Sequence, residues 1–245
     1  MENLPVIVHF SGALIEEGLP ELVCGTVIDC RDLEGTSCYC DPAAEQELAR
    51  RFVSCPVRTV HWIDSGDYHY ASALWTDRMD RPFNLVVADH HPDMQEPAFG
   101  DILSCGGWVR KVLGRNPNLR EVWLVGINPE LRGECSGFGD RVHVVDRDEA
   151  AGCPPQEVAS RIPTALPLYL SLDKDVLQPD DARTDWDQGT MSLDWLLAFC
   201  ACLGPYLAGV DICGALPSAK GGKDVDFSVN RATNRRFHDF FSLYL

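Results

Sequence analysis

The chain alternates short, largely apolar runs with stretches that turn polar every three or four positions. The apolar runs are Pro5 to Phe10, Val57 to Ile63, Phe83 to Ala88, Glu121 to Ile127, Val142 to Val145, Leu168 to Leu172 and Leu207 to Val210. Their brevity and their Val, Ile and Leu content predict strands buried on both faces. Asp41-Pro42 supplies an N-cap and a first helical position, which predicts a helix through about Phe52. Further helices are predicted over Tyr70 to Met79, Cys105 to Leu113, Pro155 to Arg161, a Ser192-capped segment through Leu203, and Ser228 to Leu243. Asp29 to Asp41 is polar, carries Gly and Cys, and predicts a long loop. Strands alternating with helices predict one three-layer α/β/α domain over residues 1–245, built on a mostly parallel sheet.

The chemistry sits where these strands end. Asp89-His90-His91-Pro92-Asp93 follows the run Phe83 to Ala88. Side chains two apart in extended chain point the same way, so Asp89, His91 and Asp93 converge and His90 points elsewhere. Two carboxylates and an imidazole suit a divalent cation such as Mn²⁺ or Zn²⁺. A second array, Asp173-Lys174-Asp175, ends the run Leu168 to Leu172, and His69 follows the run Val57 to Ile63. One aspartate after a strand is often only a helix cap. Three arrays at three strand ends form a constellation, because ligands of open α/β sheets bind outside the carboxyl ends of the strands. Asp64, Asp146 and Asp211 also end strands and are expected to cap or support rather than ligate. Such a bundle of carboxylates repels itself unless it is metal-bound, hydrogen-bonded or protonated.

In this order the motifs resemble those of the arginase and agmatinase (ureohydrolase) family. That family carries Gly-Asp-His, then Asp-x-His-x-Asp, then Ser-x-Asp-x-Asp with a nearby Pro. Here they stand as Gly66-Asp67-Tyr68-His69, Asp89 to Asp93, and Ser171 to Asp175 with Pro179, Tyr68 being one extra residue. The resemblance implies an arginase-like fold and two Mn²⁺ ions. One ion would take His69, Asp89, Asp93 and Asp173, and the other His91, Asp89, Asp173 and Asp175, with Asp89 and Asp173 shared. Two such ions acidify a shared water, and the hydroxide attacks the carbon of a guanidinium, amidine or amide. Asp93 would also aim that hydroxide. Gln95, Cys105, Trp108 and Gly214 are the expected substrate contacts.

The family's last strand ends in a pattern whose Glu holds a guanidinium. The corresponding residues are Gly214 and Ala215, so that carboxylate is missing, with Asp224 or Asp226 the candidate replacements. The stretch where arginases carry a proton-relaying His reads Ser104-Cys105-Gly106-Gly107-Trp108. Arginine hydrolysis is therefore not expected, and a different guanidino, amidino or amide substrate is. Two alternatives stand beside this. One is a deacetylase-like amidohydrolase with a single Zn²⁺ on Asp89, His91 and Asp173, and the other is a non-catalytic metal-binding scaffold. Asp93, Asp175 and His69 argue for two ions, since one zinc needs none of them.

Composition narrows the partners. A net charge of −16 argues against nucleic acid, which needs a basic face. No apolar run has transmembrane length, and the start at Met1-Glu2 lacks a basic leader, so a cytoplasmic protein acting on a small molecule is expected. Eleven cysteines, an odd number without a Cys-x-x-Cys pair, are expected to be reduced thiols. The dense cluster Cys30, Cys38 and Cys40 lacks zinc-knuckle spacing and is expected to pack as small hydrophobes. Arg231, Arg235 and Arg236 on the closing helix are expected to be solvated, although a homo-oligomer that uses them is allowed.

Overall fold

The structure of the protein, a computed structural model, describes residues 4–245, so Glu2 lies outside the described residues. The chain runs β1 (Val6–His9), α1 (Ala13–Glu16), α2 (Leu19–Leu22), β2 (Thr26–Asp29), β3 (Tyr39–Cys40), α3 (Pro42–Phe52), β4 (Val60–Trp62), α4 (Ala71–Thr76) and β5 (Phe83–Ala88). It continues through β6 (Leu103–Ser104), α5 (Trp108–Arg115), β7 (Leu119–Ile127), β8 (Val142–Asp146), α6 (Arg147–Gly152), α7 (Pro155–Ser160), β9 (Leu168–Asp173), α8 (Leu193–Leu203), β10 (Leu207–Cys213) and α9 (Asp224–Phe241).

Eight strands form one parallel sheet in the order β2-β1-β4-β10-β9-β5-β7-β8. The sequence direction reverses between β4 and β5, with β9 and β10 inserted later between them. That is the kind of switch point where open α/β sheets bind ligands. β3 and β6 pair separately as a short antiparallel ladder. No helix among the described residues is long and apolar enough to cross a membrane.

The strands bury both faces with a period of two. On β5, Phe83, Leu85 and Val87 join the core under α3, α4 and α5, while Val86 and Ala88 join the core under α7, α8 and α9. On β9, Leu168, Leu170 and Leu172 face the second core and Tyr169 the first. Continuing that alternation by one residue puts Asp89 and Asp173 on one face. The register Ala88↔Leu172 puts them side by side.

Several predicted boundaries move. β2 was not expected, because only Ile28 of its four residues is buried and no alternation shows. β3 lies inside the predicted loop Asp29 to Asp41. The predicted helix from Cys105 opens as a 3₁₀ turn, Cys105–Gly107, and becomes α-helical at Trp108. The closing helix starts at Asp224, where the Lys223 amide donates to Asp226 at 3.1 Å. Asp226 also pairs with Arg183 at 3.4 Å. Both contacts belong to the helix start, and neither Asp224 nor Asp226 lines the pocket into which His69, Asp89 and Asp173 project. Trp62, Trp75 and Trp123 are buried as expected.

A buried ion pair ties the site to the periphery. Lys174 Nζ, in the turn after β9, donates to Glu17 Oε2 at 3.0 Å. Glu17 is 1 % exposed and also accepts from Asn230 (2.6 Å), Asn234 (2.8 Å) and the Leu216 amide (3.1 Å). Glu17→Ala leaves a buried ammonium without its counter-charge. The expected loss is about 3–5 kcal/mol of stability, measured by urea unfolding.

Candidate metal centre

Asp89 and Asp173 meet at the sheet edge, and His69 reaches them from the segment after β4. A 3₁₀ turn, Gly66–Tyr68, carries it there, with the His69 amide donating to the Gly66 carbonyl at 3.1 Å. The turn absorbs the extra residue, for Tyr68 swings out and stacks on Phe10 with centroids 4.2 Å apart. His69 Nδ1 lies 3.2 Å from Asp89, 3.1 Å from Asp93 and 3.6 Å from Asp173. Its Nε2 is 2.9 Å from Ser171 Oγ, which donates to Asp211 at 2.5 Å. That chain fixes the ring with Nδ1 inward. His91 Nδ1 lies 2.8 Å from Asp175 and 3.6 Å from Asp89.

Two donor groups of metal-binding composition result: His69, Asp89 and Asp173, and Asp89, His91 and Asp175. Within each, one donor atom per residue lies within 4.8 Å of the others. Asp89 belongs to both, whereas Asp173 belongs to the first. Asp93 joins through His69. It has φ +51, and it and Cys38 (φ +59) are the non-glycine residues with positive φ among those described. Both line the same pocket, and strain of this kind clusters at functional sites. His90 lies outside both groups.

The supporting aspartates do what capping and bracing require. Asp64 accepts the amides of Phe10 and Ser11, both at 3.0 Å. Asp146 caps α6 through the Glu149 amide at 2.9 Å. His61 stacks on Trp75 with centroids 3.9 Å apart.

Without a cation the charges conflict. Burial, then the charge of Asp89, pushes Asp93 up to about 7. Burial and Asp89 also push Asp173 up to about 6. Burial, with Asp173 and Asp89, holds Asp175 well above the carboxylate range. Burial alone would lower His91, but its hydrogen bonds to the Asp175 and Asp89 carboxylates carry it to about 12. Four carboxylates and two imidazoles in one pocket bind protons until something more positive replaces them, so the donor set fits hard or borderline divalent ions.

This gives a pH prediction. A carboxyl whose folded pKa is raised stabilises the metal-free protein below its unfolded pKa and loses that stability as pH rises through the folded value. For Asp93 and Asp173 the window runs from about pH 4 to about pH 7. Cations displace those protons, so the gain in Tm on adding Mn²⁺ grows as pH rises through it. His61, pulled down to about 4 by burial, acts oppositely but lies away from the ligands and cancels between metal-free and loaded samples. A Tm gain independent of pH would contradict carboxyl protonation as the competitor of the metal.

Of the expected substrate contacts, Gln95 and Cys105 line the pocket beside the candidate metal donors. Trp108 does not. It is fully buried behind Asp93, and its Nε1 donates to Asp93 Oδ2 at 2.7 Å. Because α5 begins at Trp108, the indole turns inward rather than toward the opening. Trp108→Phe keeps the ring and loses the hydrogen bond, with an expected fall of about 10–100-fold in metal affinity measured by titration. Gly214 does not line the pocket either. It has φ +90, and a Cβ there would collide with Asp173 Oδ1. Cys30, Cys38 and Cys40 form no metal-donor group among the described residues.

Trp186 escaped the sequence reading. It lines the pocket, 39 % exposed, with its ring 5.7 Å from His91 and its Nε1 donating to Asp67 at 3.2 Å. Asp67 is held in turn by Lys220 at 2.6 Å, and Lys220 also meets Asp185 at 2.5 Å. A tryptophan within Thr184-Asp185-Trp186-Asp187-Gln188-Gly189 has no periodicity around it. An aromatic stranded in a polar loop was the one available signal.

The fold and site define a class: a parallel α/β sheet with a carboxylate–imidazole cluster at its carboxyl edge. The chain belongs to the arginase family, whose model matches residues 65–220. It is 33% identical over 156 residues to an uncharacterized protein of Thermotoga maritima, a match spanning 63% of this chain and 57% of that one. Among solved structures it is similar to proclavaminate amidino hydrolase from Streptomyces clavuligerus, with TM-score 0.73 and 16% identity over 98% of this chain and 91% of that one. It is also similar to Trypanosoma cruzi formiminoglutamase with Mn²⁺, with TM-score 0.68 and 10% identity over 99% and 93%.

Proposed function

We propose that the protein is a metal-dependent hydrolase of a non-peptide C–N bond in a small amidine, guanidine or amide, using two Mn²⁺ ions. The observation that carries this is the pair of buried donor groups sharing Asp89 in a pocket with open walls. One ion would be held by His69, Asp89, Asp93 and Asp173, the other by His91, Asp89, Asp173 and Asp175. Bound divalent ions supply Lewis-acid chemistry, acidifying water and polarising the carbon to be attacked. Asp93 would orient the attacking water, and Trp108, which donates to Asp93 Oδ2, holds that carboxylate in place. Ser171 and Asp211 keep His69 in its orientation.

The wall speaks to the substrate. Apart from the ligands it is uncharged, built from Cys38, Tyr39, Gln95, Ser104, Cys105 and Trp186 among others. A guanidinium entering it loses water and gains no dedicated carboxylate, which is costly. A neutral amide or weakly basic amidine fits better, and Gln95 offers it both a donor and an acceptor. The folds shared with an amidino hydrolase and with a Mn²⁺-bearing formiminoglutamase are in keeping with this. Two ions are favoured over one zinc because the donors form two groups, one on His69 and one on His91, that share Asp89.

The test is a panel of guanidines, amidines and amides offered to the Mn²⁺-loaded protein, with release of urea, ammonia and amine followed. At least one amidine or amide is expected to turn over with saturation, and arginine and agmatine to be poor. Efficient hydrolysis of arginine would overturn the substrate assignment. Silence across the panel with metal bound would favour a scaffold.

A further inference from the structure

Cys38 and Cys105 face each other across the β3–β6 ladder, in the wall of the metal pocket. They lie one step past the paired positions Tyr39↔Ser104 and Cys40↔Leu103, and the Cys105 amide donates to the Cys38 carbonyl at 2.9 Å. Cys38 centres a tight turn, with φ +59 and the Tyr39 amide on the Ser37 carbonyl at 2.6 Å, and its thiol comes within hydrogen-bonding reach of the Cys105 thiol. A disulfide needs its two Cβ atoms roughly 3.5–4.5 Å apart, so thiols already in contact need little movement to join. Both thiols are free, and both line the pocket that His69, Asp89 and Asp173 enter.

We propose that Cys38 and Cys105 form an oxidisable dithiol, which a peroxide converts into a cross-strand disulfide in the pocket wall. Cys38 is the attacking sulfur, because it is partly exposed while Cys105 is buried. A hydrogen bond with the Cys105 thiol, foremost, holds Cys38 below the usual thiol range. Burial pushes Cys30 up to about 11 and Cys40 up to about 12, so these neighbours are weaker nucleophiles. The Cys38 sulfur attacks one oxygen of hydrogen peroxide, breaking the O–O bond and leaving a sulfenic acid and one water. The Cys105 sulfur then attacks the sulfenic sulfur and expels a second water. Two thiols and one peroxide thus become one disulfide and two waters, with the peroxide reduced by two electrons.

The bond would join two walls of the pocket. Tyr39 follows Cys38 on one side. On the other, Gly106 follows Cys105, and its carbonyl accepts the Gln95 amide at 2.9 Å. The proposal concerns this wall and does not depend on which reaction the metal pocket performs.

The full chain, metal-free and Mn²⁺-loaded, is titrated with hydrogen peroxide, remaining thiols are alkylated, and the digest is mapped by mass spectrometry. The expected product is a linked peptide pair joining residues 38 and 105, two hydrogens lighter than its parts, formed before other thiols disappear and reversed by dithiothreitol. Tm should rise on oxidation, because the link closes a long loop in the unfolded chain. Cys38→Ser should abolish both the link and the rise. If that variant does not fold, Cys105→Ala makes the same comparison, and the wild-type map stands without either. Stepwise over-oxidation of Cys38 without a link, a Cys38–Cys40 link, or both thiols intact while others are consumed would each overturn the proposal.

Discussion

Asp89→Ala is expected to abolish the binding of both metals and lower turnover by about 1,000-fold or more, equivalent to about 4 kcal/mol of barrier. Asp89 is the residue common to the two donor groups, so its loss cannot be confined to one site. His69→Ala removes a donor from the first group alone and should weaken one metal while sparing the other. The metal-free stability separates these effects from misfolding. Asp89 raises the pKa of Asp93, Asp173 and Asp175 by its charge. Removing it relieves that repulsion, so metal-free Asp89→Ala should melt no lower than a few degrees below the parent, while its Tm gain with Mn²⁺ vanishes. A variant that melts like the parent and still gains stability from Mn²⁺ would remove Asp89 from the site.

Gly214→Glu is expected to damage the site rather than endow it with guanidinium binding. The family resemblance puts a carboxylate near this position, which invites the substitution. Gly214 has φ +90, a conformation that costs most residues about 1–3 kcal/mol. Its Cβ would also collide with Asp173 Oδ1 and stand 2.9 Å from the Lys174 amide. Both belong to the turn that presents Asp173 and Asp175. Mn²⁺ affinity should therefore fall by about 100-fold, at the upper end of what disturbing a ligand's support costs. Gly214→Ala should show part of the same loss, since the clash begins at Cβ. If Gly214→Glu binds Mn²⁺ normally and acquires guanidine hydrolysis, this placement of Gly214 is wrong.

What the sequence disclosed and what it withheld divide along physical lines. Asp89, His91, Asp173 and Asp175 were legible because an apolar run marks a buried strand and a period of two fixes the side that its continuation faces. Side-chain direction in turns was not. Trp108 was expected as a substrate contact, but a three-residue shift in the helix start turns its indole under Asp93. Gly214 was placed by motif, and a motif carries no φ. Trp186 lies in a loop whose course is set by Asp67 and Lys220, contacts that span 119 and 153 residues. Glu17 and Lys174 are 157 residues apart, and nothing local marks either as half of a buried pair.

The central claim is that one buried pocket is built for two cations that share Asp89. Its most direct test is metal content. The protein, stripped of metal, loaded with Mn²⁺ near neutral pH and freed of excess, is assayed for manganese per chain. Two equivalents are expected for the parent, one for His69→Ala and none for Asp89→Ala. A parent that never rises above one equivalent, with Mn²⁺ or with Zn²⁺, would contradict the claim.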